Sequence, residues 1–287
     1  MSEEHPRIDD LEIQIVETLY PSDKCIEIIR VLQERFGVFV TLSPIVCREA
    51  TSGKQFPRFR FGYTHQEILT LNQFLEVNDV VIDRVICKLD TDQSLCNQIQ
   101  DIAEIRSRLR IANIDFSLEF SETNDQTNTN LAAEGLFSMA TIPESRIYFE
   151  PLSDLDRTMD VTHGLLDTLC NPRPASRTLQ SLNTIMYSRP LTGSKHSFRF
   201  QQVNGLKALR LLTDTATYTL LLDSGLESTA SEAINMESFL YMIEGKPAKI
   251  YQLSEMMLQS VNFHEAENDI SLTTAQVPIL IESPPID

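Results

Sequence analysis

Thr51-Ser52-Gly53-Lys54, with Phe59-Arg60-Phe61 shortly after it, returns in the second half as Thr192-Gly193-Ser194-Lys195, with Phe198-Arg199-Phe200 shortly after. The offsets, 192 − 51 = 141 and 198 − 59 = 139, are close to half of the 287 residues. A repeat of that period implies two similar lobes rather than one large domain. A third stretch supports a division near the middle. Ser121 to Asn130 is wholly polar and has nothing to bury, so it reads as a mobile surface linker. The expected organisation is an N-terminal lobe over 1–120, a polar linker over 121–143 and a C-terminal lobe over 144–287.

Outward from the first copy, Leu11 to Val16 alternates like a strand. Ser22 caps a helix with Ile26, Ile29, Leu32 and Phe36 on one face, and Gly37 ends it. The β-branched and aromatic run from Val38 predicts a strand to about Cys47, and Phe59–Tyr63 predicts a second. Thr64 caps a helix bearing Ile68, Leu71 and Leu75. Val80–Ile86 is strand, and Thr91 to Arg110 is a helix with Leu95, Ile99, Ile102 and Ile105 inward. Ile114–Leu118 closes the half as a strand.

Around the second copy the order repeats loosely. Arg146–Phe149 is strand, and Ser153 caps a helix with Leu155, Met159, Leu166 and Leu169 inward, broken at Pro172 and Pro174. Strands are expected at 178–187, 197–203 and Tyr218–Leu222, and helices at 229–243 and 253–262. Asn204-Gly205 opens a short helix or forms a tight hairpin turn. The chain closes with a hairpin of Ile270–Leu272 against Val277–Ile281. Neighbouring strands that can pair directly favour an α+β fold over a doubly wound sheet. The expectation is two similar mixed lobes, helices packed on largely antiparallel sheets, with an internal duplication.

Charge narrows the partners. Forty-one acids against 24 bases leave a net charge of −17, and only 7 of the bases are lysines. Such a surface repels phosphate backbones and anionic lipid, which disfavours nucleic acid and membranes. No apolar stretch approaches the roughly 18 residues of a membrane span. The five cysteines are odd in number, widely spaced and without a CxxC pair, so they read as reduced structural thiols. Met1 to His5 carries no secretory signal, and the expected location is the cytoplasm.

Two sets of residues are candidate sites. Lys54 and Lys195 stand in loops of small hydrogen-bonding residues, close to Arg60 and Arg199, and the four could hold a small anion. Turn chemistry alone also accounts for the Thr, Ser and Gly of those loops. Asp156, Asp160, His163 and Asp167 are spaced 4, 3 and 4 apart, which on the expected helix makes one acidic face for a basic partner. Such a face is also what any solvated helix presents. No HExxH, GxSxG or GxGxxG pattern is present, so no metal and no cofactor is expected, and no catalytic residue is assigned.

The function expected from these residues is a non-catalytic adaptor, inhibitor or chaperone-like protein that binds a basic protein surface. The alternative is an enzyme or sensor holding a small phosphorylated ligand in a cleft between the lobes. A nucleic-acid-associated protein comes third.

Overall fold

A computed structural model describes residues 10–16, 18–48, 58–120, 124–142, 144–154, 163–187, 198–203, 206–223, 247–261 and 278–285. The chain divides into two compact units, Met1–Glu119 with Ile142–Tyr148 and Phe120–Thr141 with Phe149–Asp287.

The first unit carries β1 (Asp10–Val16), α1 (Asp23–Val31), β2 (Phe39–Arg48), β3 (Arg58–Phe61), α2 (His65–Val77), β4 (Ile82–Lys88), α3 (Leu95–Ile105) and β5 (Ile111–Glu119). After α4 (Asp125–Ser138) the chain returns as β6 (Ile147–Glu150). Caps begin the helices where the sequence places them. Ser22 Oγ accepts from Cys25 N at 3.3 Å, and Thr64 forms a reciprocal capping box with Glu67. Helix α1 runs into a π turn, Leu32–Phe36, closed by left-handed Gly37. Ile26 and Ile29 are buried as expected, whereas Phe36 is exposed.

The sheet order is β1-β2-β4-β5-β6, with β3 paired to β2 off that path. Strands β1, β2, β4 and β5 pair in parallel, with Thr41 opposite Arg84 and Ile86 opposite Asp115. The expectation of largely antiparallel sheets is therefore corrected for this half, where the β1–β2, β2–β4 and β4–β5 pairings are parallel and β3 runs antiparallel to β2. A helix lies between successive parallel strands, and such crossovers return the chain in the same direction. Each parallel strand lies beside the next along the chain, which is the winding of a (β/α) barrel segment.

The sheet is strongly curled. Asp10 Oδ2, on the first strand, lies 3.4 Å from Nη1 of Arg146, the residue before the last strand. Four flat strand spacings would separate those positions by about 19 Å.

The second unit holds α4, α5 (Pro174–Met186) and a six-stranded sheet of order β11-β10-β12-β9-β8-β7. Its strands are β7 (Phe198–Val203), β8 (Leu206–Leu212), β9 (Thr217–Asp223), β10 (Ala248–Gln252), β11 (Met257–Val261) and β12 (Ile279–Ser283), and every pairing is antiparallel. Val203 faces Leu206 across the β7–β8 ladder, the spacing of a two-residue hairpin, while residues 204 and 205 lie outside the described residues.

Four expectations give way here. The polar linker is replaced by α4, whose cap is Asn124 and whose Thr129, Ala132, Ala133 and Phe137 are fully buried. Residues 178–187 are not a strand: all but Tyr187 lie in α5, which starts with Pro174 at its first turn and buries Ala175, Thr178, Leu182 and Met186. Over the described residues 253–261 there is no helix, since a turn leads into β11. The partners of β12 are β10 and β9 rather than 270–272, which lie outside the described residues with 229–243. The two Phe-Arg-Phe segments fall on β3 and β7, both antiparallel outer strands, bordering sheets that are wound differently.

Candidate functional site: the charged inner face of the parallel sheet

Strict alternation gives the parallel sheet two unlike faces. In β5, Ile114, Phe116 and Leu118 are buried on one side, and Asn113, Asp115, Ser117 and Glu119 share the other. In β4, Val85 and Cys87 oppose Arg84 and Lys88. In β2, Val40 and Leu42 oppose Thr41 and Ser43. A parallel sheet in an α/β unit is ordinarily apolar on both faces. Here one face mixes polar and charged side chains with Ile82, Ile86 and Ile111, and much of it is buried: Ser43 and Asp115 are inaccessible, and Ser117 is nearly so.

The charges on that face lie close together, although Arg84 Nη1 makes no hydrogen bond. Asp115 Oδ1 accepts the Arg146 backbone N–H at 2.9 Å, and its Oδ2 accepts the Tyr148 hydroxyl at 3.3 Å. Arg84 Nη1 lies 3.5 Å from Asp115 and 3.8 Å from Asp10, and Asp10 Oδ1 accepts from Thr41 Oγ1 at 3.1 Å. Burial raises the Asp115 carboxyl above its usual range, against the pull of the Arg146 amide, Arg84 and Tyr148. Burial likewise raises the Tyr148 phenol, with Arg146 opposing it. Ser43 Oγ has no hydrogen-bond partner.

At the C-terminal ends of β4 and β5, Lys88 Nζ donates to Glu119 Oε2, and both side chains are largely shielded from solvent. Singly wound parallel sheets carry their sites at this end, whereas residues at the opposite end serve stability. Lys88 and Glu119 stand at that end, Arg84 and Asp115 lie in mid-strand, and Asp10 and Arg146 lie at the opposite end. None of these six was singled out in the sequence, although the alternation through Ile111–Glu119 carried the signal.

The expected anion site is not assembled among the described residues. Arg60 turns to α2, where its Nη2 lies 2.8 Å from Glu67 Oε1. Lys54 and Lys195 lie outside the described residues, as does the side chain of Arg199.

The expected acidic helix after Ser153 is corrected for its described part, from His163 onward. Ser153 bridges Leu166, Leu166 bridges Pro172, and the residues from His163 to Arg173 form turns. Asp167 accepts from the N–H groups of Leu169 and Asn171 and from the Asn171 side chain. Those Asn171 bonds, aided by Leu169 and Arg173, hold its carboxyl below the usual range. It therefore organises a turn rather than one face of a helix with His163. Asp156 and Asp160 lie outside the described residues. The chain on either side of 155–162 is joined: Asp154 Oδ1 accepts from Gly164 N at 2.8 Å and Oδ2 from Arg173 Nη2 at 2.6 Å.

No group of three or more His, Cys, Asp or Glu is placed to hold a metal among the described residues. No described helix is long and apolar enough to cross a membrane. No family model matches the chain, and no curated protein matches it. Among solved structures it is similar to the maltogenic alpha-amylase AmyB from Thermotoga neapolitana, at 11% identity and a TM-score of 0.41, over 92% of this chain and 66% of that one. It is similar also to a GH30 endoxylanase from Clostridium papyrosolvens C71, at 9% identity and a TM-score of 0.32, over 97% of this chain and 89% of that one. The chain thus spans about two thirds of the length of the amylase. Scores this low leave function to be argued from the residues.

Proposed function

We propose that this chain is a non-catalytic binding protein, an adaptor, inhibitor or chaperone-like subunit, that captures a protein with a basic surface. One observation carries the reading: nine of the 24 cations are paired with a carboxylate of their own unit. Arg60, Arg84, Lys88, Arg106, Arg110, Arg146, Arg173, Lys207 and Lys249 each lie within 4 Å of a carboxylate. Pairs of this kind cancel locally, and the excess of acids behind the −17 is left to meet an incoming partner. Free thiols at Cys25, Cys87, Cys96 and Cys170 suit the reducing cytoplasm.

Asp156 and Asp160 are the proposed contact, carried between Asp154 and Gly164, which are bonded to each other. Changing both to lysine lowers the amount of partner recovered with the immobilised chain, and the loss grows smaller at high salt. Undiminished recovery removes that segment from the proposal.

A second reading, an enzyme or sensor for a small anionic ligand, draws on Lys88 and Glu119 at the C-terminal strand ends. Melting the chain with inorganic phosphate, ATP and a sugar phosphate separates the two, because a ligand bound only by the folded form raises the melting temperature.

A further inference from the structure

Strand β1 is held to its unit by one ladder, by the buried Ile15 and by the side chain of Asp10. Among the described residues it is an edge strand with a single ladder, to β2. Five of its seven residues are exposed, and only Ile15 is buried. An edge strand with so little apolar burial belongs to the low-stability end of a fold. Against this, Asp10 at its first position reaches three other strands or their approaches: Thr41 on β2, Arg84 on β4 and Arg146 before β6. We infer that Asp10 is a latch, and that β1 leaves and rejoins the sheet as a strap while the remainder of the unit stays folded.

What the strap closes over is specific. Across the β1–β2 ladder, Glu12 stands opposite Thr41 and Gln14 opposite Ser43. Release of β1 uncovers the edge of β2 and the polar side chains behind it, including the Ser43 hydroxyl that has no partner in the closed form. Arg84 and Asp115 keep each other when Asp10 departs, so the interior is not left with an isolated charge. The latch pair itself is accessible: the Asp10 side chain is 35% exposed and that of Arg146 57%. Salt therefore screens it, whereas the buried Arg84–Asp115 contact is screened far less.

Hydrogen exchange of the full chain, read peptide by peptide, tests this. In Asp10→Asn, amides of residues 10–16 should exchange on the order of fivefold faster, the scale of partly exposed ion pairs acting together. Residues 65–77 of α2 should not change. Arg146→Met should give a smaller acceleration in the same strand, and the double variant less than the sum, since both remove one interaction. Raising salt from about 0.05 to about 0.5 M in the unaltered chain should reproduce the effect, which keeps the test independent of whether the variants fold. Unchanged exchange in β1, under salt or in Asp10→Asn, overturns the latch. Equal acceleration in β1 and α2 overturns the strap, because Asp10 would then support the whole unit.

Discussion

Arg60 and Glu67 meet across the start of α2, with Nη2 2.8 Å from Oε1, while the other carboxylate oxygen accepts the Thr64 backbone N–H. One side chain thus ties β3 to the cap of the following helix. Burial works against ionisation of Glu67, yet hydrogen bonds from Arg60 and Thr64 and the Arg60 charge hold its carboxyl below the usual range. A carboxyl depressed by folding contributes stability that is complete above its unfolded pKa, about 4.3, and lost as pH falls through the folded value. Glu67→Gln should cost about 1 kcal/mol at neutral pH. The gap to the unaltered chain should close below about pH 4 in urea titrations.

Asp115 has the opposite sign. Its raised carboxyl favours the folded state most fully below the unfolded pKa, about 3.9, and that contribution declines as pH rises through the folded value. Asp115→Asn, which retains an acceptor for the Arg146 amide, should abolish this decline. Stability followed from about pH 4 to pH 7 should slope downward less steeply in the variant than in the unaltered chain.

In the second unit Lys207 on β8 donates to Glu134 on α4, and the Glu134 side chain is only 9% exposed. Lys207→Met leaves a buried carboxylate without that cation and should cost about 3 kcal/mol in chemical denaturation. The double change Glu134→Met with Lys207→Met should cost less than the single one, because no charge is stranded.

Burial pushes the Cys87 thiol up to about 12, which keeps it in the unreactive thiol form. Iodoacetamide on the native chain should modify exposed Cys170 while sparing buried Cys87 and Cys96, as read by peptide mass. Labelling of Cys87 at a rate equal to that of Cys170 would contradict the buried assignment.

Much of the first unit was legible from local signals. Ser22, Thr64 and Gly37 mark helix ends by chemistry that acts within a few residues, and the structure uses all three. Strand direction was not legible. Alternation of the kind in β5 commonly means an antiparallel sheet wet on one side. Here the polar side is sheltered by charges from distant strands, and nothing in Asp115 itself announces Arg84 or Arg146. Helix α4 was hidden for a related reason. Asn128 and Thr129 lower its local apolar signal, yet both are buried, and Thr129 donates back to the Asp125 carbonyl. In α5, Thr178 and Ser181 interrupt the apolar stripe, and Ser181 finds the Leu253 carbonyl 72 residues away. The candidate site suffered most, because its members become neighbours only through strand pairing and, for Asp10 with Arg84 and Arg146, through the curl of the sheet.

The joined base at Ser153 and Leu166 has a practical corollary. Gly164 lies so near that base that an added methyl would come within 2.5 Å of the Ser153 carbonyl carbon, so the closure is intolerant of change. An insertion between Asp154 and His163 faces a different rule, since the entropy cost of chain added between two fastened ends grows only with the logarithm of its length. Foreign peptides of varied size should be graftable there with the scaffold intact, which makes this the natural place to transplant a new recognition sequence.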